Sequence, residues 1–287
     1  MDQDYSKAFD AYYYAHDCGL PYERNEHWLN FFGWIAERIT RDINPKTVLD
    51  AGCAMGFLVE GLRARGVEAW GVDVSEYAIG QVHESVRPYC RVGSITEPFE
   101  QKYDLITCIE VFEHMPPVEA ENAAENLCRH TDDILFSSTP FDYKEVTHVN
   151  VHPPEHWAAM FARQGFYRDF DFDASFLTPW AVRYTRKPFE QGRFISEYER
   201  RFFLLWKENS DLRSLSQQQQ QVIASMEGQV QKQKAEMAEG EAQLQEIRES
   251  RAWRFMSRLQ KIRLFFIPRG SKAERVLKLG NKAEDKK

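Results

Sequence analysis

Three groups of residues in this sequence have the types and spacing that chemistry needs. The first is Asp50-x-Gly52-x-Ala54-x-Gly56, which closes the apolar run beginning at Thr47, and Asp73, 21 residues beyond Gly52 at the end of a second apolar run. Glycines at such a bend take up positive φ and let a ligand approach the backbone closely. A carboxylate at that distance, at the tip of the next strand, accepts hydrogen bonds from both ribose hydroxyls of an adenosine ligand. Together they describe a site for a nucleoside-containing cofactor. The second group is Glu110, Glu113 and His114 in "EVFEHM", with the two acids, or Glu110 and the histidine, one helical turn apart. The third is the stretch "THVNVHPPEH", with His148, His152, Glu155 and His156. Joined to Glu110, Glu113 and His114, an imidazole from that stretch (His152 in preference to His148) completes a hard-cation site of the kind that holds Mg²⁺ or Mn²⁺. In the metal-free alternative, His148 or His152 is the general base, a role suited to imidazole. His156, beside Trp157, reads as structural.

Elements that can position these residues follow from periodicity. "HWLNFFGWIAERI" places Trp28, Phe31/Phe32, Ile35 and Ile39 at helical spacing, within a helical cap over residues 1–45. From Thr47 strands and helices alternate: "TVLDA", "FLVEGLRARG", "EAWGVDV", "EYAIGQVHESV", "YCRVGSI", "YDLITCIEVF", "VEAENAAENLCRH", "DDILFSSTP", "PEHWAAMFARQG". Strands separated by helices predict an α/β fold with a doubly wound parallel sheet. The last two strand-like runs, "FYRDFDFDA" and "TPWAVRYTR", have no helix between them, which predicts an antiparallel edge. The domain spans residues 46–190. Beyond it Gly and Pro become scarce, and "SLSQQQQQ" leads into Ile223, Val230, Met237 and Leu244 at seven-residue spacing, with Met226, Gln233, Gly240 and Ile247 between them. This predicts a long helix with a short, weak coiled coil over 197–250, able to join two copies. A basic amphipathic tail follows over 251–287, ended by Pro268 and Gly270, with "GNKAEDKK" expected to be disordered.

Charge divides the chain in the same place. Arg248–Lys287 holds 13 Lys/Arg against 4 Asp/Glu, a net +9, while the remaining 247 residues hold 24 against 40, a net −16. So acidic a body excludes a general nucleic-acid binder, whereas the tail suits an anionic membrane surface. Five scattered cysteines (Cys18, Cys53, Cys90, Cys108, Cys128) form no CxxC pair, which argues against a disulfide framework and for a reducing compartment. No apolar run approaches spanning length and no signal-peptide pattern opens the chain. The expected location is cytoplasmic, peripheral on the inner face of the membrane.

Two cofactors compete for the first site. A dinucleotide fingerprint beginning at Gly52 would need glycine where Ala54 stands and Gly or Ala where Phe57 stands, a poor match. Asp50, Gly52, Ala54 and Gly56 instead resemble motif I of class I S-adenosylmethionine-dependent methyltransferases, with Ala replacing the middle Gly. "YDLITCIEVFEHM" resembles that family's fourth-strand motif and "DDILFSSTPF" its fifth strand, so the resemblance runs over about residues 25–187. It implies a Rossmann-like seven-stranded sheet with a reversed last strand, S-adenosylmethionine as cofactor, and contacts from Glu110 beside it. Where the family often has Gly-Asp at the third-strand tip this chain has "GSI", which leaves either Ser94 or a backbone group to meet the adenine amino group. Arg24, in the cap, is set either to pair with the methionine carboxylate or to form an ordinary surface ion pair. Glu110-x-x-Glu113-His114 with a distant histidine also resembles the metal-using small-RNA 2′-O-methyltransferases, and the core is similar to ubiquinone-biosynthesis O-methyltransferases. "ESRAWRFMSRLQKIR" resembles a segment found in bacterial surface-polysaccharide enzymes. The resulting expectation is O-methylation of a sugar hydroxyl in a bacterial glycan. The alternatives are a small-molecule O-methyltransferase acting on a catechol or polyketide, a non-catalytic assembly protein and, disfavoured by Phe57, an NAD-dependent oxidoreductase.

Overall fold

The computed structural model describes residues 5–188 and 190–267. They divide into two compact units, with the boundary between Glu197 and Tyr198.

In the first unit, α1 (Ala11–His16) and α2 (Glu26–Asp42) precede β1 (Thr47–Ala51), α3 (Phe57–Arg63), β2 (Glu68–Asp73), α4 (Glu76–Gln81) and β3 (Cys90–Val92). Then come β4 (Leu105–Ile109), α5 (Pro117–His130), β5 (Asp133–Ser137), α6 (Pro154–Arg163), β6 (Tyr167–Arg168) and β7 (Val182–Thr185). The strands form one seven-stranded sheet in the order β3-β2-β1-β4-β5-β7-β6. The first five are parallel, and β7 runs antiparallel to both β5 and β6. This is the expected doubly wound sheet with its reversed edge. The run "FYRDFDFDA" yields only the two residues of β6.

Strand alternation builds both faces of the core. Ile106, Ile134 and Phe136 point to one side, against Ala120, Ala123 and Leu127 of α5 and Trp157 and Phe161 of α6. Their neighbours Leu105 and Leu135 point to the other, with Val48, against Ile35 and Ile39 of α2 and Leu58 and Leu62 of α3. Strands covered on both faces read as near-continuous apolar runs, which is why β1, β4 and β5 were visible in the sequence. Chain order reverses between β1 and β4, so a crevice opens beyond the carboxyl ends of the strands there, the usual ligand position in such sheets.

The second unit is helical. It contains most of α7 (Gln191–Glu249) and α8 (Arg251–Phe266), separated at Ser250, whose side chain caps the second helix by accepting from Trp253 N. No residue of either helix is buried. The seven-residue spacing continues upstream of Ile223 in one unbroken register: Phe202, Asn209 and Ser216 precede it at one position, and Tyr198, Leu205, Leu212 and Gln219 stand at the other. Pro268, Gly270 and the terminal stretch expected to be disordered lie outside the described residues.

Candidate cofactor and acceptor site

A cavity of about 750 Å³ opens at the crevice between β1 and β4. One end is built by the turn after β1. Gly52 has φ 86°, Ala54 φ 45° and Gly56 φ 72°. Gly52 N and Cys53 N donate to Val72 O at 2.8 and 3.1 Å, tying the turn to β2. Ala54 N donates to Asp73 Oδ2 and Ser75 N to Asp73 Oδ1, both at 2.8 Å. Two backbone donors thus fix the carboxylate of Asp73 at the strand tip, leaving each oxygen a second lone pair for a ligand hydroxyl. Burial pushes the Asp73 carboxyl up, and those backbone donors oppose the shift. Asp50 lies beneath, buried, accepting from Thr107 Oγ1 at 2.7 Å; burial pushes it up to about 7. Ser94 lines the cavity, its hydroxyl 2.7 Å from Thr96 Oγ1.

The N-terminal segment covers this end. Ser75 Oγ donates to Phe9 O at 2.6 Å, and Tyr14 stacks on Tyr77 with ring centroids 5.8 Å apart. Tyr22 packs between Trp28 and Phe57. Burial pushes the hydroxyls of Tyr14 and Tyr22 well above the usual phenol range, so both stay protonated donors.

The other end is polar. Glu110, at φ 52°, follows β4 and accepts from Trp180 Nε1 at 3.0 Å. A residue with a β-carbon in this left-handed region is a strained conformation of the kind that clusters at functional sites. Glu113 is fully buried. Its Oε1 accepts from Thr139 N at 3.3 Å, and its Oε2 has no hydrogen-bond partner. Burial, with Glu110 nearby, pushes its carboxyl well up. His114 Nδ1 is 2.8 Å from Thr147 Oγ1 and Nε2 is 3.5 Å from Tyr13 Oη. Burial first, then His148, lowers His114 to about 3, so it stays neutral. His148 has Nε2 3.1 Å from Glu145 Oε2 and Nδ1 2.8 Å from Asp142 O. Thr147 donates to Glu145 through both N and Oγ1, at 2.9 and 2.5 Å.

The cavity wall brings together Asp50, Gly52, Ala54, Asp73, Ser94, Glu110, Glu113, His114 and His148 from the expected set. The geometry places the remaining expected residues elsewhere. Arg24 makes a two-pronged ion pair with Glu60 of α3, at 2.5 and 2.8 Å, and is absent from the wall. His152 is also absent from the wall and stacks on His156 with centroids 3.8 Å apart. Among the described residues, the possible metal ligands whose ligand atoms lie within 4.8 Å of one another are Glu113, His114 and His148, without Glu110 or His152. Gly56 serves packing: a β-carbon there would sit 3.1 Å from Cys90 Sγ. Sequence reasoning missed Glu145, Thr147, Tyr13 and Trp180. Glu145, an acid three residues before a singled-out histidine, was the one with a readable signal.

A profile of the methyltransferase-domain family matches residues 22–168, more than half of the chain. The chain belongs to that family. Similar proteins include ubiquinone biosynthesis O-methyltransferases of Acinetobacter baumannii (strain ACICU) and Pseudomonas putida (strain W619). Each is 32% identical, over 115 and 114 residues, covering 37% of this chain and 48% of the relative. The chain thus spans about half the length of the curated relatives it matches. Among solved structures, magnesium protoporphyrin IX methyltransferase from Synechocystis PCC 6803 with bound S-adenosylmethionine superposes with a TM-score of 0.50 at 17% identity. That match covers 64% of this chain and 98% of that one and shows a shared fold, the class I methyltransferase sheet.

Proposed function

We propose that the protein is an S-adenosylmethionine-dependent O-methyltransferase acting on a hydroxylated acceptor. The observation that carries this is the Gly52–Ala54 turn locked to Asp73, whose carboxylate stands at the cavity floor with acceptor capacity to spare. This donor and acceptor set fits an adenosine: Asp73 for the ribose hydroxyls, Ser94 toward the base, the turn for the amino-acid part. With Arg24 engaged by Glu60, that arginine does not meet the amino-acid carboxylate. S-adenosylmethionine, when bound, supplies an electrophilic methyl group on a sulfonium. The Glu145–His148 pair takes the proton that the acceptor oxygen loses as it gains that methyl, and Thr147 and the Asp142 carbonyl hold the pair in place. Tyr14, Tyr22 and Trp28 keep water from the cofactor end. Calorimetry with S-adenosylmethionine and S-adenosylhomocysteine tests the proposal. Both should bind, NAD should not, and Asp73→Ala should weaken both by about 1–3 kcal/mol. Tight NAD binding with no response to S-adenosylmethionine sinks it.

A second version uses a divalent cation. It is favoured by the partnerless Glu113 Oε2 beside His114 and His148. Bound there, Mg²⁺ or Mn²⁺ would polarise the acceptor hydroxyl. Full turnover in excess EDTA removes this version and leaves the Glu145–His148 pair.

The finer acceptor we propose is a sugar hydroxyl of a cell-surface glycan assembled at a membrane. The support is the second unit. α8 carries five Lys/Arg and no acid, with Phe255, Met256, Leu259, Ile262 and Phe266 exposed. This composition suits attachment to anionic lipid. The full chain should sediment with anionic vesicles and be released by high salt; indifference to such vesicles removes the main support for a membrane-linked acceptor.

A further inference from the structure

The charge of the cavity wall restricts which acceptor can enter. Eight of the lining residues carry carboxyl groups, three of which (Asp50, Asp73 and Glu113) burial pushes toward the neutral form, and none is Lys or Arg. Asp50 and Asp73 sit at the cofactor end. The others are Asp17, Glu110, Glu113, Glu119, Asp142 and Glu145. Among the described residues none of the eight forms an ion pair with Lys or Arg; only His114 and His148 come near, at Asp142 and Glu145. Elsewhere in the same unit carboxylates are neutralised: Asp42 by Arg38, Glu60 by Arg24, Asp133 by Arg183, Asp169 by Lys187. In the cavity, by contrast, all eight acids lack a Lys or Arg partner among the described residues. An independent observation points to a ligand at the same place. Glu113 is fully buried, lines the cavity, and its Oε2 has no partner. Buried polar atoms are normally satisfied, and an unsatisfied one calls for a group that is missing.

We propose that the part of the acceptor entering this cavity is rich in hydrogen-bond donors and carries no negative charge. An amine-bearing polyol is preferred, a neutral polyol is accepted, and a phosphate or carboxylate is excluded. The Glu145 carboxylate, at the polar end of the cavity, receives its N–H or O–H groups. An acceptor carried on a phosphate or pyrophosphate must therefore present its sugar to the cavity and leave the phosphate outside. The principle is rejection by like charge: facing an anion with unpaired acids selects against it as effectively as added contacts select for a cation.

This rests on the cofactor reading above, so the test separates the two. Three unreactive adenosyl ligands would keep the nucleoside and amino-acid ends. At the methyl-transfer position they would carry an aminoethyl, a propyl or a carboxymethyl arm. Each is titrated calorimetrically into the full chain at pH 7.5 and one ionic strength, with S-adenosylhomocysteine as the reference. The expected order is amine tightest, alkyl next by roughly tenfold, and carboxylate weaker than alkyl by roughly tenfold or more. Asp17→Asn with Glu119→Gln, at exposed positions, should narrow that spread while the affinity for S-adenosylhomocysteine holds. If S-adenosylhomocysteine binds but the three arms bind alike, or the carboxylate binds best, the selection proposal is overturned and the cofactor reading stands. If neither S-adenosylhomocysteine nor any arm binds, the cofactor reading falls and takes this proposal with it.

Discussion

Replacing Gly52 by alanine should damage the site twice, and the two effects can be measured apart. The residue stands at φ 86°, where a β-carbon costs roughly 1–2 kcal/mol. That β-carbon would also overlap Val111 Cγ2 and lie 3.2 Å from Val111 Cγ1. Overpacking of this kind costs roughly 1–3 kcal/mol. Gly52→Ala should therefore lose about 2–5 kcal/mol in all. Relief by movement would pull Gly52 N from Val72 O and shift Ala54 N against Asp73, so cofactor affinity should fall with stability. Val111→Ala removes the overlap and leaves the φ cost. The double variant should consequently be more stable than the sum of the singles by about 1–3 kcal/mol, well outside the roughly 0.3–0.5 kcal/mol scatter of independent sites. Urea unfolding followed by near-ultraviolet circular dichroism reports the packed aromatics of the first unit, with S-adenosylhomocysteine calorimetry in parallel. Additive singles would refute the steric explanation, and unchanged ligand affinity in Gly52→Ala would refute the link from this turn to Asp73.

Three further outcomes are expected. His148→Ala and Glu145→Gln should each lower kcat by about 100-fold or more in a methyl-transfer assay, with KM within a few-fold, while His152→Ala stays near wild type. Asp50 is protonated more readily folded (about 7) than unfolded, so its contribution to stability is present at low pH and is lost as pH rises from about 4 through 7. Asp50→Asn should abolish that loss, an order of magnitude of about 4 kcal/mol between those limits; identical pH dependence of unfolding in wild type and variant would refute the burial argument. Analytical ultracentrifugation should find a dimer formed through residues 198–247, and Asn209→Ile should yield mixed higher oligomers, because a polar residue at that seam position restricts the number of strands. A monomer at micromolar concentration would dispose of the seam.

The parts of the site that sequence revealed are those fixed by local periodicity. Gly52 and Asp73 follow directly from strands that end where their apolar runs end, so their spacing translates into distance. The choice between His148 and His152 does not. Both lie on a connection without period, and only the fold distinguishes them. Val149 N and Asn150 N both donate to Glu113 O at 2.9 Å, which presses His148 toward the cavity, while His152 is carried to the start of α6 and stacks there. Arg24 was ambiguous because its partner Glu60 is remote in sequence. The upstream half of the seam was hidden by Asn209, Ser216 and Gln219, whose polarity interrupts a hydrophobic count without interrupting a helix.

The acid-rich wall and the proton-accepting pair make sense together in the proposed reaction. Transfer of a methyl group from a sulfonium to a hydroxyl leaves a neutral thioether, a neutral ether and one proton. A wall rich in acids and without Lys or Arg favours the cationic sulfonium, and by itself that would oppose the reaction, since the charge it stabilises disappears from sulfur. The opposition ends if the positive charge stays in the cavity. Glu145 is 3.1 Å from His148 and receives two hydrogen bonds from Thr147, so a proton delivered to this pair remains facing the same carboxylates. The charge then moves across the cavity without leaving its counter-ions. Neutral His114, lowered to about 3 by burial and by His148, does not compete for that proton above pH 4. On this account the acids that exclude anionic acceptors also hold the released proton until the products leave.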